Sequence, residues 1–267
     1  MIILALESSA KPASAAVCAD GELLGLYFQN CGLTHSRTLL VMAESLLANI
    51  GVPVTDVDLV AVSRGPGSFT GVRIGVSAAK GLAWGIDRPV CGVSTLEAMA
   101  RQNTGGRFCC VASNTTEPSP CVLCPVMDAR RGQVYNALFE WRDGALSRIR
   151  DDRAISLEDL AEDLRALLAP PPHGEPCNQT TSDGGDAFIG RSVSEAYLVG
   201  DGAALAYGYL SSVGIPCRMA PDLMRYQTAY GVALAAMAAE PVPAIELEPS
   251  YLRPSQAERE RESKGMR

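Results

Sequence analysis

DLVAVSRGPGSFTGVRIGVSAAKGLAWGIDRPVCGV, residues 58–93, is the stretch whose reading decides the fold. Residues 59–62 are an apolar run suited to a buried strand, and Gly65, Pro66 and Gly67 then break the chain sharply. A helix follows, with Ser68 or Thr70 able to cap it through a side-chain oxygen; it runs to about Trp84 and stops at Gly85, with Pro89 beyond. Between Gly71 and Ala83 only Arg73, Ser77 and Lys80 are polar, so the helix is apolar or small around most of its circumference and is expected to be covered on two sides. Gly71, Gly75, Ala78 and Ala79 leave shallow spots three and four residues apart, where another helix can come close. Each internal glycine costs roughly 1 kcal/mol relative to alanine, and close packing is the expected compensation.

Upstream, residues 2–7 read as a strand, and 15–18 lead through Asp20-Gly21 into 23–28, an antiparallel meander. Residues 35–50 form a helix with Leu39, Met42, Ala43, Leu46 and Ile50 on one side and Leu40 and Leu47 on another, so it too has a second apolar face. A further helix begins at Thr95. From about Thr104 the composition shifts to glycine, serine, threonine and proline, with a loop at 113–120. Residues 122–127 are again a strand, ending in Asp128, and 134–141 are its antiparallel partner, with Asp128 standing where Glu7 stood in the opening hairpin. An amphipathic helix at 155–168 precedes a long loop at 169–186. Residues 197–199 then run into Gly200-Asp201-Gly202, a helix at 203–212 and a strand near 215–218, repeating the order strand, glycine loop, helix, strand.

This recurrence predicts an internal duplication: an α/β protein of two lobes, each a mixed sheet flanked by helices. The expected division is 1–104 for the first lobe and 105–252 for the second, with the last helix, 229–239, returning to the first lobe and a charged, disordered tail at 253–267.

The chain has 267 residues, 47% of them hydrophobic and 20% charged, enough for a large core. A net charge of −7 argues against a protein that grips nucleic acid by itself. The N-terminus lacks the features of a signal peptide and no apolar run is long enough to span a bilayer, so a cytoplasmic protein with no membrane association is expected. Nine cysteines, an odd number, suit reduced thiols in that compartment.

A glycine loop ahead of a helix is a ready anion site, but residues 65–71 lack the lysine and hydroxyl pair of a P-loop. Glu7, Ser8 and Asp128 are the weak candidates for holding a magnesium nucleotide between the lobes. Cys121-x-x-Cys124 with Cys109 and Cys110 resembles half of a zinc site, against which stands a reading as buried thiols. With only two histidines, His35 and His173, a histidine-based metal site is not expected. His35-Ser36 forms a conceivable base and nucleophile pair, although capping of the helix by Thr34 or Ser36 is the simpler role.

The words GPGSFTGVRIGVSAAKGLAWG, with THSRTLL at 34–40, ILALESS at 3–9, MDARRGQVY at 127–135, GDGA at 200–203 and PSYLR at 249–253, resemble the bacterial TsaB family. That resemblance implies a two-lobed fold of the actin, sugar kinase and heat-shock ATPase kind. It also implies a non-catalytic dimerisation subunit for threonylcarbamoyl transfer to adenosine 37 of tRNA. Its implied partners are the paralogue TsaD, which carries the metal and the transferase site, and the ATPase TsaE. No cofactor is implied on this subunit, metal and ATP belonging to the partners, and tRNA is reached only through the complex. The implied pairing surface comprises the helices at 35–50 and 69–84, with Ser36, Leu40, Ala43, Leu47, Gly71, Val72, Gly75, Ala79 and Leu82 as its expected residues. Without the paralogue the same patch is expected to drive a homodimer. Glu7 stands where the family usually has aspartate, which weakens nucleotide binding by the first lobe. Two rival readings are an actin-like phosphotransferase using Glu7 and Asp128 around ATP, and a peptidase.

Overall fold

A computed structural model describes residues 1–104, 121–169, 193 and 195–253. The first lobe opens with strands β1 (Ile2–Glu7), β2 (Ala13–Ala19) and β3 (Glu22–Gln29), followed by helix α1 (His35–Ile50), β4 (Leu59–Gly65), α2 (Phe69–Gly85), β5 (Val90–Ser94) and α3 (Thr95–Gln102). The second contains β6 (Cys121–Asp128), β7 (Gln133–Arg142), β8 (Ala145–Ser156), α4 (Leu157–Leu168), β9 (Ala196–Val199), α5 (Ala203–Ser212) and β10 (Cys217–Met219), and two last helices follow, α6 (Asp222–Arg225) and α7 (Ala229–Ala236).

The sheets have one topology. The first is ordered β3-β2-β1-β4-β5 and the second, read from its other end, β8-β7-β6-β9-β10. In each, the central strand pairs antiparallel with a hairpin partner and parallel with the strand that ends in a glycine loop. The duplication expected from the residue order is therefore present at the level of hydrogen bonding.

Five layers result. Helices α1 and α2 cover one face of the first sheet, burying Leu39, Leu46, Val72 and Val76 against Leu4, Leu6 and Val62. On the opposite face lies α7, whose alanines and Val232 meet Ile3, Ala5, Ala61 and Cys91. Small residues suit α7 because it is confined between the sheet and α3; a Cβ on Gly231 would come within 2.4 Å of the Ala98 carbonyl. Helix α3 is shared: Ala98 joins the first lobe's core, while Leu96, Met99 and Ala100 pack on Leu123 and Phe139 of the second sheet. The far face of the second sheet is covered by α4 and α5.

Strand β8 is absent from the sequence reading. Its sequence, ALSRIRDDRAIS, has no clean alternation because it is an edge strand, half exposed over much of its length, with charged side chains of the kind that protect edges. Arg148 and Asp152 of this strand reach Glu97 and Ser94 at the start of α3, so the edge also ties the lobes together.

The role given to the small residues of α2 needs correction. Gly71, Gly75 and Ala79 face the chain's own sheet. A Cβ on Gly71 would lie 2.1 Å from the Ser8 carbonyl, and one on Gly75 would lie 2.5 Å from the Ser8 hydroxyl. Val72 and Ala79 are likewise buried in the first lobe's core. The close neighbour these positions accommodate is the end of β1, and only one side of α2 is fully covered.

Gly81 is different. It is exposed in the middle of α2 with open space beyond it. Gly81→Ala is thus expected to stabilise the isolated chain by about 1 kcal/mol, whereas Gly71→Ala is expected to destabilise it by roughly 1–3 kcal/mol through overpacking. Urea unfolding of the two variants measures both, and equal effects of one sign would contradict this assignment of the helix faces.

Candidate functional site

Two concavities bear on function, a cleft between the lobes and a groove between α1 and α2. The cleft, ≈ 570 Å³, lies where the central strands of both sheets end, with Ser9, His35 and Ser68 on one side and Asp128, Tyr135 and Asp201 on the other. Its chemistry differs from what the glycine loop advertises. The Ser9 carbonyl accepts from Ser68 N at 2.6 Å, the Ser68 hydroxyl accepts from Gly71 N at 3.3 Å, and a Cβ on Gly67 would come 2.4 Å from the Ser9 oxygen. The glycines thus admit the chain's own carbonyls to the face an anion would approach. The second loop repeats this: Gly202 N donates to the Val126 carbonyl at 3.0 Å, and a Cβ on Gly200 would lie 2.1 Å from the same oxygen.

The three cofactor candidates do not form one solvent-facing site. Glu7 is fully buried, its Oε1 accepting from Ser9 N at 2.6 Å, and Ser8, also buried, donates its hydroxyl to the Gly71 carbonyl at 2.9 Å. Burial outweighs the neighbouring Ser9 and Ser63 hydroxyls and pushes the Glu7 carboxyl above its ordinary value. Asp128 alone faces the cleft, where its Oδ1 accepts from Arg130 N at 2.7 Å. On the same side is Asp201, held by Gln227 Nε2 at 3.1 Å and raised in pKa by burial, with the Asp128 charge adding to the effect. Sequence reasoning passed over Asp201, although the duplication places its loop where Gly65-Pro66-Gly67 stands in the first lobe.

The remaining candidates separate. His35 donates from Nε2 to the Ala10 carbonyl at 2.8 Å, and its Nδ1 has no hydrogen-bond partner among the described residues, so no bond links it to Ser36. Cys121 and Cys124 point to opposite faces of the second sheet, as an odd spacing on a strand requires, and cannot grip one ion together. Burial pushes the Cys124 thiol up to about 12, a value for an inert thiol. Cys109, Cys110, His173, the loop at 113–120 and nearly all of the loop at 169–186 and of the tail lie outside the described residues. Among the described residues no three histidine, cysteine or acidic side chains are grouped as a metal site, and no helix is long and apolar enough to cross a membrane.

The groove is apolar. One hollow of ≈ 600 Å³ is bordered by Ser36, Leu39 and Leu40 of α1 and by Phe69, Arg73, Ile74 and Ala78 of α2. A second, ≈ 420 Å³, continues past Leu40, Ala43 and Leu47 to Leu82, with Leu4 of the sheet also lining it. Five of the expected pairing residues, Ser36, Leu40, Ala43, Leu47 and Leu82, therefore border the groove, while Gly71, Val72, Gly75 and Ala79 do not. Leu40 is 48% exposed there, and the same two helices expose apolar side chains absent from the expected set, Val41 at 57% and Trp84 at 84%. The hydrophobic pattern of α2 alone could not separate its inner glycines from Gly81, because both faces are small or apolar.

A family model described as TsaD, tRNA N6-adenosine threonylcarbamoyltransferase, matches residues 29–257. The curated tRNA threonylcarbamoyladenosine biosynthesis protein TsaB of Escherichia coli is 31% identical over 223 residues, 82% of this chain and 87% of that protein. The chain belongs to the TsaB family. The TsaB of Bacillus subtilis is 34% identical over 165 residues, 62% of this chain and 66% of the relative. Among solved structures, an uncharacterized Pseudomonas aeruginosa protein with similarity to the peptidase YeaZ superposes with a TM-score of 0.67 at 24% identity, covering 94% of this chain and 99% of its own. That likeness bears on the fold alone, two lobes each with a mixed sheet flanked by helices, as the paired sheets already show.

Glu7 supplies a pH signature. Its proton is held in the folded state to a higher pH than in the unfolded state, so the folded form binds more protons above the ordinary value of 4.5 and stability falls as pH rises through that window. Glu7→Gln is expected to flatten this slope and to gain on the wild type as pH increases. Urea unfolding between pH 4 and 8 measures the difference, and parallel curves would contradict it.

Proposed function

We propose that this chain acts in forming threonylcarbamoyladenosine on tRNA as a non-catalytic docking subunit that receives the transferase TsaD in the groove between α1 and α2. The observation that carries the reading is the outward face of these helices. Leu40 borders an apolar groove and is half exposed, Val41 and Trp84 of the same two helices stand in solvent, and Gly81 of α2 has open space beyond it. An exposed apolar patch of this kind marks an interaction surface, and a mid-helix glycine with no neighbour of its own is explained by the close approach of another chain. Membership in the TsaB family supports the process, and the absence of a base and nucleophile pair at His35-Ser36 favours a docking role over a peptidase.

On this reading the metal and ATP belong to partner subunits, TsaE joins the pair, and the net charge of −7 leaves tRNA to be held by the complex in the cytoplasm. The free chain pairs with itself through the same groove. The transferase paralogue from the same organism is the reagent that tests the reading. Leu40→Asp and Gly81→Glu, both at exposed positions, are expected to leave the chain folded and to weaken co-elution with the paralogue by at least about 30-fold, the loss of roughly 2 kcal/mol that a hot-spot residue represents. Unchanged co-elution of both variants, or threonylcarbamoyl transfer by the chain alone, would overturn it.

A further inference from the structure

The segment at 242–253 runs from the first lobe to the second as a strap. Val242 bridges to Val90, Lys80 Nζ donates to the carbonyls of Ile245 and Leu247 at 3.0 Å each, and Leu247 is buried in the first lobe's core. Ser250 N donates to the Arg64 carbonyl at 2.7 Å. Three residues on, Arg253 Nη1 donates to the Ala129 carbonyl at 2.9 Å, on the opposite side of the cleft. Between these anchors is Tyr251, whose hydroxyl accepts from Arg73 Nε at 2.8 Å and whose ring lies 4.8 Å from that of Phe69. The Arg73 guanidinium is 3.8 Å above the Phe69 ring.

Arg73 thus links the groove to the cleft: it borders the groove, Tyr251 borders the cleft, and Phe69, like His35, borders both. It is exposed, and it forms no ion pair among the described residues, only aromatic contacts and one neutral hydrogen bond. A cation at the rim of an apolar groove without a carboxylate is suited to receive one from an occupant.

We propose that Arg73 is a two-position switch, held by Phe69 and Tyr251 in the free chain and drawn off by a carboxylate of the protein that fills the groove, so that docking frees Tyr251 and the far end of the strap from α2, while Lys80 keeps the near end, and loosens the cleft. This rests on the docking role proposed above, and names how docking is transmitted. The coupled element is physical and discrete: Arg73 bonds either to Tyr251 or to the occupant, and the strap end follows.

Amide hydrogen exchange tests it first in the isolated chain. Arg73→Ala, and Tyr251→Phe as the milder variant, are expected to speed exchange at least tenfold at Ser250 N. They are also expected to speed it severalfold at Ala129 N and Gln133 N, which close the second-lobe turn that Arg253 grips. Arg253→Ala is expected to reproduce the second effect alone. Loosening confined to residues around α2, or no change in either variant, would overturn the linkage. Adding the transferase paralogue to the wild-type chain is then expected to speed exchange at the same three amides. Co-elution without that change would sink the switch and leave docking standing; absence of co-elution would sink the docking role and the switch with it.

Discussion

The meeting of the end of β1 with the inner face of α2 sets the rest of the structure. Two carbonyls and a hydroxyl, from Ser8 and Ser9, enter positions on the loop and helix where no side chain can stand. That contact seats α2 low on the sheet, aims its opposite face at solvent beside α1, and closes the glycine loop against its own chain. The outward groove and the occupied loop are two results of one steric fact. A residue larger than glycine at position 71 would raise the helix and disturb both.

The second lobe solves the same problem with different residues. Gly200 and Gly202 meet the end of β6 as Gly67 and Gly71 meet the end of β1. The acids that close the two central strands have nevertheless diverged. Glu7 is sealed inside with its carboxyl pKa raised by burial, while Asp128 stands at the cleft on the same side as Asp201. A duplicated scaffold has kept its backbone packing and lost the symmetry of its polar groups, and the acidic side chains that line the cleft come from the second lobe.

Much of this was legible in the residue order. Strand, glycine loop and helix are written plainly at 58–85 and again at 197–212, because apolar runs, glycine punctuation and cap residues are local signals. Where sequence reasoning failed, the missing information was three-dimensional. Strand β8 exists because β7 offers it an edge, and its charged residues carry no period of their own. The faces of α2 could not be sorted because glycine and alanine serve equally well against a strand end and against a foreign helix. Leu40 and Leu82 were legible as surplus apolar positions, whereas Trp84 and Val41 read as ordinary members of an apolar helix until their exposure was known.

The shared helix α3 and the late helix α7 also govern how the protein can be made. The rear face of the first sheet, with Ile3, Ala5, Ala61 and Cys91, is covered mainly by residues 229–236, which a ribosome delivers after nearly all of the second lobe. Until then that face is covered only in part, by Ala98 of α3 among the described residues. The first lobe can therefore close only after the second has been made, through long-range contacts, and its exposed sheet is a surface for chaperones until the last alanines arrive.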